Sequence, residues 1–268
     1  MKVTRETVVI VTGASGGIGK ETALEFARKG ARVVLAARNL ARLEEVAKEI
    51  AAIGSEALIV PCDVSKEAEC KQMVAKGIDR FGKIDILVNN AGYGHYAAVE
   101  NLVAEDLHKI FSTNLYGAIW CAQAVIPHMK ARHTGHIVNV STVISFRSMP
   151  YMTAYCMTKF AMNAMDEGLR LELRPFGIGV TLLCPGLTAT DFQTNADKVG
   201  YAPPIRSRGG MSAIRVGKLL VRAVEKKRRR VALTFSGNVL MYLQRICPAM
   251  VDEILSLVFS RKLGPKTT

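Results

Sequence analysis

Apolar positions follow two rhythms along this chain. Short β-branched runs read as strands, and between them apolar residues recur every three or four positions, as on one face of a helix. The stretch "TVVIVT" (7–12) predicts a strand, "GKETALEFARKG" (19–30) a helix closed by Gly30, and "RVVLAA" (32–37) a second strand. Asn39 can cap the next helix, in which Leu40, Leu43, Val46 and Ile50 share a face before Gly54. A third strand follows in "ALIVPC" (57–62), and Ser65 opens a helix that ends near Gly82. "DILVN" (85–89), "HIVNVST" (136–142) and "GVTLLC" (179–184) continue the strands, with helices at about 104–131 and 152–174 between them. This β-α-β-α order, with strands that look buried, predicts an α/β fold: a Rossmann-type, doubly wound parallel sheet flanked by helices.

After residue 186 the rhythm breaks. "LTATDFQTNADKVGYAPPIRSRGG" (187–210) is polar and contains Gly and Pro, which suits a mobile segment over a site; the substrate loop is expected at about 191–212. A helix (about 212–226) and a strand "RVALT" (230–234) follow. The tail, about 237–262, is amphipathic and broken by Pro248; its apolar face could serve as a dimer seam, a substrate lid or an interfacial anchor. No internal repeat or low-complexity linker interrupts the chain, so residues 1–268 read as a single domain.

Composition narrows the partners. Of 268 residues 49% are hydrophobic and 22% charged, ordinary for a folded protein. Lys and Arg number 36 against 23 Asp and Glu, a formal charge of +13 that favours phosphorylated cofactors, acidic membranes or, non-specifically, nucleic acid. The run "KKRRR" (226–230) has no aromatic interleaving and reads as the cationic end of a helix, so nucleic acid is not expected as a partner. The six cysteines are scattered, without C-x-x-C or a His/Cys cluster at ligand spacing, so no metal site is expected and the thiols read as reduced. The N-terminal stretch does not read as a signal peptide, and no run reaches the ~18–20 apolar residues of a membrane span. A cytoplasmic protein is expected, with peripheral membrane contact left open.

The chemistry starts at "TGASGGIGK" (12–20). In open parallel sheets ligands bind beyond the carboxyl ends of the strands. Gly13, Gly17 and Gly19 would let backbone N–H groups approach a pyrophosphate at a helix N-terminus, where the dipole favours anions. The stretch is not a P-loop, because Ala14 and Glu21 stand where Gly and Ser/Thr are needed. At the end of the second strand an NAD enzyme would place a carboxylate for the ribose 2′-hydroxyl. Here Ala37 precedes Arg38, whose guanidinium suits a 2′-phosphate, so NADP is favoured over NAD.

Tyr155 and Lys159, in "YCMTK", stand four apart on one helix face. Hydride transfer to a carbonyl carbon leaves charge on oxygen, which needs a proton donor in reach. A neighbouring ammonium would lower the phenol pKa of Tyr155. Tyr151 is a decoy, since no Lys lies four residues beyond it.

"TGASGGIG" (12–19), "NNAG" (89–92), Asn114 in "STNLYG", "YCMTK" (155–159) and "PGLTAT" (185–190) stand in the order and spacing of the short-chain dehydrogenase/reductase family, which the chain resembles over residues 5 to about 192. It looks similar to the branch acting on lipophilic carbonyls such as steroids, retinoids or fatty-acyl groups. The resemblance implies about seven strands and a homodimer or homotetramer packed through the helices that contain Asn114 and Tyr155. It implies cofactor contacts from Gly13, Ser15, Gly16, Gly17, Ile18, Gly19, Ala91, Gly92, Pro185 and Gly186. Asp63 would lie near the adenine, Asn90 would support the cofactor channel, and Thr190 would contact the nicotinamide amide. Tyr155 would exchange the proton, Lys159 would tune it and bond the ribose, and Asn114 would hold a water that links Lys159 to a relay.

Family members carry Ser thirteen residues before the Tyr; here that position is Thr142, with Ser141 beside it. Neighbouring strand residues face opposite ways, which favours Thr142 as the substrate-orienting hydroxyl and leaves Ser141 as the alternative. His95, just after "NNAG", reads as a solvated loop residue that could face substrate. The expected activity is NADP(H)-dependent interconversion of a carbonyl and a secondary alcohol on a small molecule. A 3-oxoacyl thioester reductase and a non-catalytic NADP-sensing protein are the alternatives.

Overall fold

The computed structural model describes residues 1–201 and 210–263. Along the chain run β1 (Val8–Thr12), α1 (Gly17–Arg28), β2 (Arg32–Ala37), α2 (Leu40–Ala52), β3 (Ala57–Pro61), α3 (Glu67–Phe81), β4 (Ile86–Asn89) and β5 (His95–Ala97). Next come α4 (Ala104–Phe111), a π turn (Ser112–Tyr116), α5 (Gly117–Ala131), β6 (Gly135–Val140), α6 (Thr153–Leu173) and β7 (Ile178–Cys184). The rest comprises β8 (Thr188–Ala189), β9 (Asp197–Val199), β10 (Met211–Ser212), α7 (Ala213–Glu225), β11 (Arg230–Ala232), α8 (Phe235–Ile246) and α9 (Pro248–Leu263).

Seven strands form the main sheet in the order β11-β7-β6-β4-β1-β2-β3, and every neighbouring pair is parallel. All five residues of β1 are buried, because helices cover both faces of the sheet. On one face Val9, Val11, Val33 and Leu35 pack with Phe26 of α1, Leu43 and Ile50 of α2 and Leu220 of α7. On the other, Val8, Ile10, Val34 and Ala36 meet Met73 of α3 and Val125 and Met129 of α5. The alternation assigns each apolar residue of a strand to one layer or the other. From β1 the chain winds outward through β2 and β3, then returns to β4 and winds the opposite way. This reversal opens a crevice at the carboxyl ends of β1 and β4, where a ligand can enter.

The helix boundaries have local causes. Asn39 caps α2 by accepting from the Arg42 N–H at 3.0 Å, and Gly82 ends α3 in a left-handed conformation (φ 77°). Leu43, Val46 and Ile50 point into the core as their spacing predicts, but Leu40 is exposed. The helix expected over about 104–131 is divided by the π turn at Asn114. The loop expected over about 191–212 contributes β9, paired with β5, and β10, paired with β8; its residues 202–209 lie outside the described residues.

The tail forms two helices that meet at Pro248. Gly237 of α8 packs so closely on Val143 that a Cβ would collide with it, and Arg147 pairs with Asp252 of α9 at 2.6 Å. The tail therefore rests on the segment that follows β6.

Candidate active site

The turn after β1 is built from close approaches. Gly13 adopts φ 66°, and a Cβ there would lie 2.9 Å from Asn90 Nδ2; a Cβ on Gly19 would strike the Gly13 carbonyl. Gly17 has φ 54° and faces Thr190, whose Cγ2 lies 3.2 Å from where a Cβ would be. Gly16 precedes α1 with nothing within 4 Å of a built Cβ, so the turn is open on its outer side. Ser15 is part of the same open turn, and Ile18 packs on the core beneath it. Asn90 secures the cradle through Nδ2, donating to the Thr12 carbonyl at 2.9 Å and the Gly13 carbonyl at 3.3 Å. A turn of glycines that passes from extended Gly16 into α1, with no side chain capping the helix start, fits a dinucleotide pyrophosphate.

Sequence reasoning missed Thr12. Its hydroxyl donates to the Val88 carbonyl and accepts from the Asn90 and Ala91 N–H groups at 3.0 and 3.1 Å. It thereby ties the end of β1 to the end of β4. The available signal was a hydroxyl residue placed between an apolar strand and a glycine turn.

Further along the same edge, Arg38 follows β2, is exposed, and forms no ion pair among the described residues. Asp63 follows β3 and accepts from Ser65 through both its N–H (3.0 Å) and its hydroxyl (2.8 Å). Both residues stand at carboxyl ends of neighbouring strands, next to the glycine cradle.

On the other side of the crevice the structure brings Thr142, Tyr155 and Lys159 together. Thr142 lies just past β6, and its hydroxyl interacts with the Tyr155 phenol. It also donates to the Pro185 carbonyl at 3.4 Å. Ser141 faces away: its hydroxyl donates to Asn163 Oδ1 at 2.9 Å and to the Lys159 carbonyl at 3.4 Å. Tyr155 and Lys159 are one turn apart on α6, both buried, with Lys159 Nζ 5.9 Å from the phenol ring centroid. The ammonium donates to the Val140 carbonyl at 2.9 Å. Gly186, next to Pro185, abuts Thr234, whose Cγ2 would lie 2.8 Å from a Cβ there.

Asn114 is fully buried in the π turn and grips a distant segment. Its Oδ1 accepts from the Tyr93 N–H at 3.0 Å, and its Nδ2 donates to the Tyr93 carbonyl at 2.9 Å and to Thr158 Oγ1 at 3.3 Å. A Cβ on Gly92 would lie 2.9 Å from Asn114 Oδ1 and 3.8 Å from Lys159 Nζ, so these three positions meet.

Burial dominates the electrostatics. It pushes the Tyr155 phenol above its usual range, opposed by the Thr142 hydroxyl, and pushes the Lys159 ammonium down to about 8. The lowering of Tyr155 expected from Lys159 is therefore not what the chain's own groups produce. Tyr155 is instead a neutral phenol at neutral pH, the form that can donate a proton. It belongs to an apolar cluster with Ile110, Ala154 and Cys156, against which Tyr93, Ile144, Met152 and Phe192 pack, and Phe192 stands edge-on to its ring at 5.4 Å. His95 does not sit in a solvated loop: it is buried in β5, with Asp106 as its nearest carboxylate at 3.9 Å.

A glycine cradle at the switch point of a doubly wound sheet, facing a Tyr–Lys pair, defines a dinucleotide-dependent oxidoreductase. The sequence profile of the short chain dehydrogenase family matches residues 7–199, and the chain belongs to that family. It is 33% identical to Dehydrogenase/reductase SDR family member 7B of Rattus norvegicus over 94% of this chain and 81% of that one. It is 32% identical to 11-beta-hydroxysteroid dehydrogenase-like 2 of Arabidopsis thaliana over 96% and 83%. Among solved structures, a short chain dehydrogenase/reductase from Burkholderia phymatum in complex with NAD superposes with TM-score 0.85 at 26% identity, covering 93% and 96%. The alcohol dehydrogenase of Thermococcus sibiricus complexed with 5-hydroxy-NADP gives TM-score 0.76 at 28% identity, covering 85% and 95%. The protein is an NAD(P)-dependent oxidoreductase acting on the CH–OH/C=O pair.

Proposed function

We propose that this protein interconverts a lipophilic ketone or aldehyde and its alcohol with NADP(H), as a single catalytic domain. The observation that carries the reading is the cluster of Thr142, Tyr155 and Lys159 opposite the glycine cradle. When bound, the nicotinamide supplies or accepts the hydride. In reduction Thr142 donates to the substrate oxygen and Tyr155 gives it the phenolic proton; in oxidation the same proton returns to Tyr155. Lys159 holds a positive charge within reach of the phenol and of a ribose hydroxyl. Asn114 fixes the backbone at Tyr93 and, through Gly92, the space beside Lys159.

NADP is preferred because Ala37 offers no carboxylate to a 2′-hydroxyl and Arg38 stands exposed with an uncommitted guanidinium. Asp63 would face the adenine and Thr190 the nicotinamide amide. Tyr93, Ile144, Met152 and Phe192 pack on the apolar cluster that holds Tyr155, which supports a lipophilic substrate, and the hydroxysteroid dehydrogenase-like name of the Arabidopsis relative agrees. Free thiols at all six cysteines suit a reducing compartment such as the cytoplasm.

The test is turnover with NADPH and NADH against a panel of lipophilic ketones, aldehydes and 3-oxoacyl thioesters. Reduction of the lipophilic carbonyls with NADPH is expected, with Tyr155→Phe inactive yet still binding cofactor. Arg38→Ala should reduce the NADPH preference by about 1.5–3 kcal/mol. An unchanged preference would release Arg38 from this role, and activity in Tyr155→Phe would overturn the mechanism.

A further inference from the structure

Four successive residues at the end of β6, Asn139 to Thr142, each reach across to α6. Asn139 Nδ2 donates to Asp166 Oδ1 at 3.0 Å, and the Val140 carbonyl accepts from Lys159 Nζ at 2.9 Å. The Ser141 hydroxyl donates to Asn163 Oδ1 at 2.9 Å, and the Thr142 hydroxyl meets the Tyr155 phenol. Tyr155, Lys159 and Asn163 follow one another at spacings of four, so one face of α6 carries all three.

The Thr142 hydroxyl is loosely held by its own bonds. It donates to the Pro185 carbonyl and accepts from the Ile144 N–H, both at 3.4 Å, the long limit of a hydrogen bond. Such a hydroxyl is free to turn to a substrate oxygen, but its position must then come from the backbone that carries it. That backbone is held closely. The Thr142 carbonyl accepts from the Ser145 hydroxyl at 2.6 Å and from the Ser145 N–H at 3.2 Å. Asn163 Nδ2 donates in turn to Ser145 Oγ at 2.9 Å and to the Ser145 carbonyl at 3.0 Å. One amide therefore grips two buried serines, Ser141 and Ser145, on either side of Thr142. It spends its acceptor on the first and its two donors on the second. Turned over, the amide would set its oxygen against the Ser145 carbonyl, so its sense is fixed.

We propose that Asn163 is a positioning residue for Thr142. Through Ser141 and Ser145 it holds residues 141–145 so that the Thr142 hydroxyl stays beside the Tyr155 phenol, where the substrate oxygen must bind. Because Asn163 grows from the helix that carries Tyr155 and Lys159, the orienting hydroxyl and the proton donor keep one register. The bond from Asn163 polarises the Ser145 hydroxyl toward the Thr142 carbonyl, so the two bonds strengthen each other. Ser141→Ala leaves both donors of the amide in place, which agrees with a mild effect at that position. This role rests on the reading of Thr142 as the substrate-orienting hydroxyl, and Thr142→Ala tests that reading on its own.

The experiment is a double-mutant cycle between Asn163→Ala and Thr142→Ala, read as kcat for reduction of a hydrophobic aryl ketone with NADPH. In the wild-type background Asn163→Ala should lower kcat about 10–100-fold, the cost of a small misplacement, with KM for NADPH within about twofold. In the Thr142→Ala background the same change should cost less than about threefold, because no hydroxyl is left to misplace. Ser145→Ala should repeat this pattern. Asn163→Asp keeps the bond to Ser141 but sets an oxygen against the Ser145 carbonyl, and should be as slow as Asn163→Ala. Hydrogen exchange reads the same clamp without turnover: the Val143, Ile144 and Ser145 amides should exchange about tenfold or more faster in Asn163→Ala, with those of β1 unchanged. Equal loss of kcat in both backgrounds would make Asn163 a purely structural residue and overturn the proposal. Full turnover in Asn163→Asp, or unchanged exchange at Val143–Ser145, would overturn it too. An active Thr142→Ala variant would overturn the reading of Thr142 itself, and with it any role for Asn163 in placing that hydroxyl.

Discussion

At Thr142 and Ser141 two adjacent hydroxyls have opposite fates, and the difference can be measured. Thr142 interacts with the Tyr155 phenol, whereas Ser141 donates inward to Asn163 at 2.9 Å. Thr142→Ala should cost about 10²–10³ in turnover, as for loss of one oxyanion-stabilising donor. Thr142→Ser should keep most activity and Ser141→Ala should be mild; the reverse pattern in steady-state kinetics would exchange their roles. Lys159 makes a second prediction, on stability. Its folded-state pKa is lowered to about 8 from 10.5, so the unfolded chain holds that proton more tightly. The resulting destabilisation is in full force below about pH 8 and fades as pH rises toward 10.5. Lys159→Met removes the buried charge at similar volume, and should raise the melting temperature at neutral pH while abolishing turnover. The gain should shrink in melts at about pH 9.5. A lower melting temperature at neutral pH would mean that the lost bond to the Val140 carbonyl outweighs the relief of burial.

The unit formed by β1, the glycine turn and α1 works as a single element, because its tightest contact spans the whole turn. A Cβ on Gly19 meets both the Gly13 carbonyl and Asn90 Nδ2, so Gly19→Ala must open the turn that receives the phosphates. We expect dinucleotide affinity to fall about tenfold or more with the far-ultraviolet circular dichroism unchanged, since Gly19 is outside the strand ladder. Retained affinity in a fluorescence titration would show that the turn adapts. This element was legible in sequence because β-branched strand, glycines and amphipathic helix each leave a local signature. The strands of the main sheet were legible for the same reason, most within a residue or two of their ends. The π turn was not, since nothing in "STNLY" distinguishes i→i+5 bonding from ordinary helix, and the grip of Asn114 on Tyr93 is twenty-one residues distant. The pairing of β5 with β9 was missed because three-residue strands are too short to show a period, and with it the burial of His95. Thr12 and the apolar cluster around Tyr155 escaped because contacts between distant segments have no spacing to read.

Assembly is the property of the whole molecule that its surface most directly constrains. Beneath α5 and α6, Leu115, Ala118 and Met162 are buried together, while Tyr116 of the π turn and Met157 and Phe160 of α6 project outward. The rings of Phe111, Tyr116 and Trp120 follow one another with centroids 6.4 and 6.0 Å apart, an apolar ladder along the same side. Cations that would oppose self-association are withdrawn from α6: Lys159 is buried and Arg170 is paired with Asp166. Two copies could therefore meet through this face about a two-fold axis, burying the exposed rings without setting like charges together. Phe160→Glu would place a carboxylate from each copy near the axis, where desolvation and mutual repulsion both disfavour contact. Sedimentation at about 10 μM should show an oligomer for wild type and a monomer for Phe160→Glu, and the melting temperature of wild type alone should rise with protein concentration. Because α6 also carries Tyr155 and Lys159, the monomeric variant should lose part of its turnover while its affinity for dinucleotide, set by the turn after β1, stays close to wild type. A wild-type chain that sediments as a monomer at every concentration would remove this interface.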